Sequence, residues 1–184
     1  MKFYLAPLEG LTGYVFRNAL AKYFMPLDKY FTPFIAANQN GKLSSREIND
    51  ILPEHNPSIN IVPQILTNKA SDFILTTKRL QSYGYEEVNL NLGCPSGTVV
   101  SKNKGSGFLA VPDDLNAFLE EVFSHSSAKI SLKTRIGKES PDEFEHLLSI
   151  FNQYPLEELI IHPRVQKDYY RNTPRLEVFE KALR

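Results

Sequence analysis

Residues 87–92 alternate without a fault, with Val88, Leu90 and Leu92 on one side and Asn89 and Asn91 on the other. A period of two predicts a β-strand. Gly93 and Pro95 break the run and leave Cys94 just past the strand's C-terminal end. Asn91 lies near that end, an amide placed to hydrogen-bond something in front of the thiol. Apolar runs predict five further strands, over residues 3–6, 30–35, 60–66, 129–136 and 159–162. Pro33 and Pro63 fall inside two of them, and Pro63 removes one ladder hydrogen bond. Helical spacing and capping signals predict helices over 14–24, 44–50, 68–82, 112–124, 141–154 and 174–183, with Ser44 and Asn68 as caps. Gly84 stops the third helix, and Pro112 with Asp113 and Asp114 opens the fourth.

Strand and helix therefore alternate along the whole chain, which implies a parallel sheet with crossover helices. A doubly wound open sheet and a (β/α)8 barrel both fit this pattern. In either, chemistry gathers at the C-terminal ends of the strands. The polar residues follow that rule: Glu9, then Asn38 and Gln39, Gln64, Asn91 and Cys94, Lys133 and Arg135, and finally His162 and Arg164.

Composition narrows the setting. The chain has 184 residues, 42% hydrophobic and 23% charged, ordinary for one soluble globular domain. A single cysteine excludes an internal disulfide framework and suits a reducing compartment. No apolar run reaches membrane-spanning length, and Pro7 breaks the N-terminus too early for a signal peptide. A cytoplasmic location with no membrane partner is the expectation. No spacing of His, Cys and Asp suggests a metal site, and neither a GxGxxG fingerprint nor a Walker loop is present.

A lone cysteine is most often a small buried hydrophobe. Cys94 departs from that pattern because the chain breaks on both sides of it. The loop that follows, residues 97–107, is rich in glycine and carries Lys102 and Lys104, so it reads as flexible and basic. Net charge is zero, yet the charges segregate. Lys102, Lys104, Lys133, Arg135, Lys138, Arg164, Lys167, Arg171 and Arg175 follow the fourth to sixth strands, whereas acidic residues lie largely in helices. The strand-end face is expected to be locally positive, as a polyanionic substrate requires.

Four stretches in this order, residues 6–10 (APLEG), 89–96 (NLNLGCPS), 133–137 (KTRIG) and 162–164 (HPR), closely resemble the tRNA-dihydrouridine synthases. The resemblance covers the whole chain and is most specific at the Asn-x-Gly-Cys-Pro motif with its basic glycine loop. It implies a TIM barrel with FMN at its strand-end mouth, followed by a small helical domain that helps hold tRNA. The implied reaction reduces the 5,6 double bond of a uracil in tRNA, with NADPH re-reducing the flavin. Carried over by residue, Cys94 is the general acid that protonates uracil C5, and Asn91 positions the base. Ala6, Pro7 and Leu8 line the flavin ring, Gln64 hydrogen-bonds it, and Lys133 faces its N1/O2 edge. His162 contacts the flavin and Arg164 the cofactor or tRNA, while Lys102, Lys104 and Arg135 form the tRNA-binding rim. Pro163 stands where the family usually has a small residue.

The chain ends after the sixth βα unit. The expectation is therefore an incomplete (β/α)8 barrel, about its first six units, without the last strands or the helical domain. Two other readings compete: another FMN barrel acting on a free pyrimidine, similar to dihydroorotate dehydrogenase, and an inactive truncated fragment.

Overall fold

Every strand pairing in the computed structural model, which describes residues 1–183, is parallel. The strands are β1 Tyr4–Leu5, β2 Lys29–Phe31, β3 Ile35–Ala36, β4 Ile61–Val62, β5 Gln64–Leu66, β6 Glu87–Leu92, β7 Lys129–Arg135 and β8 Leu159–His162. Between them run α1 Tyr14–Tyr23, α2 Ser45–Ile51, α3 Ala70–Gln81, α4 Gly97–Val100, α5 Pro112–His125, α6 Glu143–Phe151 and α7 Leu176–Lys181. Short 3-10 turns occupy Pro53–His55, Gly105–Ala110 and Gln166–Asp168.

The second and third predicted strands are each split in two, at the prolines. Proline has no N–H to give the ladder, so regular pairing stops there. The gap is bridged by other donors. Thr32 N–H donates to the Val62 carbonyl at 3.1 Å, Gln64 N–H to the Thr32 hydroxyl at 3.1 Å, and Asn89 N–H to the Pro63 carbonyl at 2.9 Å. Across these breaks the ladders run β1-β2-β4 and β3-β5-β6-β7-β8, so each of the six strand positions lies beside its predecessor. A doubly wound sheet reverses its order part-way. This one does not, which settles the architecture as a partial (β/α) barrel.

The sheet also curls. The Tyr4 hydroxyl donates to the Glu158 carboxylate, and Lys29 Nζ reaches Glu87 at 2.7 Å and Glu158 at 3.1 Å. These contacts join the N-terminal ends of the first, second, fourth and sixth strand positions. Among the described residues no ladder joins β1 to β8, so the barrel is not closed.

Val88, Leu90, Leu92, Ile130 and Leu132 are fully buried against the helices. They meet Phe73 and Leu80 of α3, Leu115, Phe118, Leu119 and Val122 of α5, and Phe144, Leu147 and Phe151 of α6 in one cluster. Phe118 sits edge-on to Phe73 and Phe108, with ring centroids 5.8 and 5.4 Å away. The opposite, concave face carries the polar half of the alternation: Gln64, Asn89, Asn91, Ser131, Lys133 and Arg135. Register sets Asn89 beside both Gln64 and Ser131, and Asn91 beside Lys133.

Ser44 caps α2 as predicted and forms a reciprocal capping box with Glu47. Asn68 does not cap α3. That helix starts at Ala70, while Asn68 Nδ2 donates to the Lys102 carbonyl at 3.1 Å and ties two strand-end loops together. The loop after Cys94 is packed rather than open: it forms α4 and a 3-10 turn in which Gly105, Ser106 and Gly107 are buried. No helix among the described residues is long and apolar enough to cross a membrane.

Candidate active site

Cys94 is partly exposed and its peptide unit is held from three sides. Asn91 Oδ1 accepts from Gly93 N–H at 3.1 Å and from Cys94 N–H at 2.9 Å, closing the turn that ends β6. The Cys94 carbonyl accepts from Ser106 N–H at 3.1 Å and from the Ser106 hydroxyl at 2.8 Å. Arg135 Nε donates to the Gly93 carbonyl at 2.9 Å. The two residues flanking the thiol's turn, one on β6 and one on β7, are thus both strand-end side chains acting on backbone.

A pocket of about 160 Å³ opens beside the thiol. Pro7, Leu8, Gln64, Asn91, Cys94, Lys133 and His162 all line it, together with Glu9, Phe34, Gly93, Pro95, Arg135 and Tyr170. A larger cavity, about 730 Å³, lies between the start of α1 and α2, with Phe16, Phe34 and Ile35 among its walls. It contains no thiol, histidine or lysine, whereas the smaller pocket holds all three.

The other expected residues fall outside the pocket wall. Ala6 is exposed beside Pro7. Arg164 is half-buried, donating from its NH1 group to His162 Nε2 at 3.0 Å and from Nε to the Asn172 carbonyl at 2.5 Å. Lys102 is exposed and Lys104 half-buried, both on the loop that follows the thiol. Arg135, expected on the rim, does line the pocket but is only 1% exposed. Besides Gly93, it donates to the carbonyls of Val165 at 3.0 Å and Tyr169 at 2.9 Å, so its guanidinium is taken up by backbone rather than turned to solvent.

Electrostatics distinguish the pocket further. Lys133 is half-buried and its ammonium has no carboxylate partner among the described residues. Burial, then the Arg135 charge, holds its pKa below the ordinary lysine value. Burial also pulls His162 down to about 4, helped by Arg135, Lys133 and Arg164. His162 is therefore neutral at pH 7, and because Nε2 accepts from Arg164, Nδ1 carries the proton. Glu9 is the one carboxylate in the wall, and it pairs with Arg46 at 2.8 Å. A cation-rich pocket with no carboxylate turned to its lysine suits the anionic edge of a ligand, and the amides of Gln64 and Asn91 suit carbonyls.

Comparison with known proteins bears directly on this motif set. A family described as dihydrouridine synthase (Dus) matches residues 4–179. The chain belongs to the dihydrouridine synthase family. Among curated relatives, the "Probable tRNA-dihydrouridine synthase" of Staphylococcus aureus (strain Mu50 / ATCC 700699) is 30% identical over 182 residues, 97% of this chain and 54% of that protein. The protein so named in Staphylococcus epidermidis (strain ATCC 12228 / FDA PCI 1200) is 29% identical over 188 residues, 99% of this chain and 56% of its own length. "Probable tRNA-dihydrouridine synthase 2" of Bacillus subtilis (strain 168) is 29% identical over 170 residues, 90% and 51% respectively. The chain thus spans about half the length of the curated relatives it matches.

Sequence reasoning overlooked three features in and around this pocket. Ser106 carried no signal of its own within a glycine-rich loop. Tyr170 is 64% exposed, with its ring centroid 5.3 Å from the Arg135 guanidinium and 5.9 Å from the His162 ring. It lies in a loop after β8, where no periodicity points inward. Phe34 occupies the break between β2 and β3, which was read as continuous strand.

Proposed function

We propose that this pocket is the catalytic centre of a flavin-dependent reductase that converts a uridine of tRNA to 5,6-dihydrouridine. The observation that carries the reading is the unpaired Lys133 ammonium in the same pocket as the Cys94 thiol and the Gln64 and Asn91 amides. Pro7, Leu8, Gln64, Lys133 and His162 would hold FMN, whose reduced form would be the hydride source for uracil C6, with NADPH as its reductant. Pro7 and Leu8 would give its ring an apolar wall, and Lys133 would supply a positive charge for its reduced, anionic form. Gln64 has one N–H left for the ring after donating to Asn89.

Reduction also needs a proton at C5, on the face opposite the hydride. Cys94 donates it from its thiol, leaving a thiolate that solvent reprotonates through the partly exposed side of the residue. Asn91 retains one N–H for a uracil carbonyl, since the other goes to Gln64. His162 offers its Nδ1–H as a neutral donor. The target base must leave its stack to enter. Lys102 and Lys104 on the loop after the thiol, and Arg164 after β8, would offer positive charge to the flanking phosphates. These assignments describe a cytoplasmic tRNA-modifying enzyme.

The test is direct. The protein is incubated with FMN, NADPH and tRNA lacking dihydrouridine, and the uridine mass is read by mass spectrometry. The expected product carries two added hydrogens and does not form with Cys94→Ala. Reduction of free uracil in preference to tRNA would replace the RNA reading, and no product from either would overturn the proposal.

A further inference from the structure

The concave face beneath Cys94 carries an unbroken chain of side-chain hydrogen bonds. Asn91 Nδ2 donates to Gln64 Oε1 at 2.7 Å, Gln64 Nε2 to Asn89 Oδ1 at 2.8 Å, and Asn89 Nδ2 to the Ser131 hydroxyl at 2.9 Å. All four residues are buried, with exposures of 7% for Asn91, 1% for Gln64 and 0% for Asn89 and Ser131. Three adjacent strands contribute: strand register places Gln64 beside Asn89 and Asn89 beside Ser131, and Asn91 reaches Gln64 diagonally from two residues further along β6.

The chain has one permitted direction. Asn91 Oδ1 faces two backbone N–H groups, those of Gly93 and Cys94, which can only donate. Its NH2 must then face Gln64, which turns the Gln64 NH2 to Asn89 and the Asn89 NH2 to Ser131. Reversing Asn91 or Gln64 sets nitrogen against nitrogen and oxygen against oxygen, and reversing Asn89 sets its nitrogen against that of Gln64. Such a mismatch is tolerable in water and costly where no water replaces the lost partner. Each amide NH2 has two hydrogens and uses one here. Gln64 and Asn91, the members that line the pocket, therefore present N–H donors to it rather than acceptors.

We infer that Asn89 and Ser131, neither of which reaches the pocket, are positioning residues for Cys94 and for the donor polarity of its pocket. Asn89 accepts from Gln64 in the direction that Asn91 sets, and the Ser131 hydroxyl takes up the amide hydrogen that Asn89 then has to place. The ligand class this polarity selects carries carbonyl oxygens facing Gln64 and Asn91, as an imide ring does. The inference rests on Cys94 and its pocket being the catalytic centre proposed above, but its test reads the thiol separately.

Cys94 is the only cysteine in the chain, so alkylation reports it without ambiguity. The rate constant for iodoacetamide is measured across pH for the wild type, Asn89→Leu, Ser131→Ala and Ser131→Thr, with circular dichroism checking the fold. Breaking the chain at Asn89 is expected to change the alkylation rate by about fivefold, the shift carried by one net hydrogen bond. Ser131→Ala should move it in the same direction by less, and Ser131→Thr, which keeps the hydroxyl, should restore it. In tRNA reduction, kcat should fall in step while KM for tRNA stays level. Unchanged alkylation in a folded Asn89→Leu protein would overturn the inference. Should that variant not fold, equal rates for Ser131→Ala and the wild type would do so. If alkylation shifts as expected but the wild type reduces no uridine, the positioning role stands and the proposed reaction fails.

Discussion

The hydroxyl of Tyr4 donates to the carboxylate of Glu158, linking the first strand to the turn before the sixth across 154 positions of sequence. Lys29 lies beneath the Tyr4 ring, 5.6 Å from its centroid, and bridges Glu158 to Glu87. The cluster closes the N-terminal end of the curl, opposite the reactive end. Burial pulls the Lys29 pKa down, but its bonds to Glu87 and Glu158 outweigh this and leave it above the ordinary lysine value.

Removing the cation from that cluster should be expensive. Lys29→Met leaves two mostly buried carboxylates facing each other, and breaking a buried pair in this way costs about 3 kcal/mol. Urea unfolding should show the loss, and adding Glu87→Gln should recover part of it. Equal midpoints for Lys29→Met and the wild type would mean that water reaches the cluster freely.

Alkali should attack the same place. The hydrogen bond to Glu158, followed by burial, raises the Tyr4 hydroxyl to about 12, against an ordinary value of 10.0. A group whose folded pKa is raised gives stability that is whole below the unfolded pKa and is lost as pH climbs through the folded one. Tyr4 therefore contributes below pH 10 and loses its contribution toward pH 12. Melting curves across that range should fall more steeply for the wild type than for Tyr4→Phe.

Acid acts at the opposite end of the strands. His162 is held at about 4 by burial first and by Arg135, Lys133 and Arg164 next. Its folded pKa is depressed, so the neutral form stabilises the fold fully above about 6.5, and that contribution declines as pH falls through 4. The imidazole resonances should titrate with a midpoint near 4. Lys133→Met removes one neighbouring charge and should raise the midpoint only part of the way, because burial is the larger cause.

Much of this site was legible in the sequence because strand alternation is local. It placed Asn91, Lys133 and His162 at strand ends, and a single pocket gathers them. What escaped depends on non-local partners. Alternation put Arg135 on the same face as Lys133, but the carbonyls that bury it come from Val165 and Tyr169, some thirty residues on. Asn68 has the residue type of a cap, yet its partner is the Lys102 carbonyl on another loop. Whether the sheet was a barrel or doubly wound turns on strand order, which the pattern leaves open. The prolines were visible, but not the rescue of their gaps by the Thr32 hydroxyl and Asn89 N–H.

The positive rim yields a salt-dependence test. Lys102 is exposed and Lys104 half-buried on the loop after the thiol. Neutralising both should weaken tRNA binding and flatten the slope of log K against log salt by roughly one to two contacts. An unchanged slope would assign these lysines to solvation of the loop alone.

Gly105 packs against the turn that holds the thiol. Its φ of +55° is a conformation that side-chain-bearing residues rarely adopt. A Cβ built there would stand 2.8 Å from the Cys94 carbonyl oxygen, 2.9 Å from Val99 Cγ1 and 3.0 Å from Cys94 Cβ. Backbone oxygen cannot yield as a flexible side chain can, so the turn holding the thiol must shift. Gly105→Ala combines this clash with a strained φ and should cost about 1–3 kcal/mol of stability. The displacement also moves the carbonyl away from Ser106, whose two bonds hold it. Uridine reduction should consequently fall by about 10²-fold, the usual scale for losing a positioned general acid, while the pocket residues contributed by other strands keep flavin binding near its wild-type level. Gly84→Ala is the control. It also has a positive φ, of +93°, but nothing lies within 4 Å of its Cβ position, far from the thiol. A smaller loss of stability, from the strained φ alone, with full activity is expected there. Equal activity in the two variants would show that Gly105 matters to the fold alone.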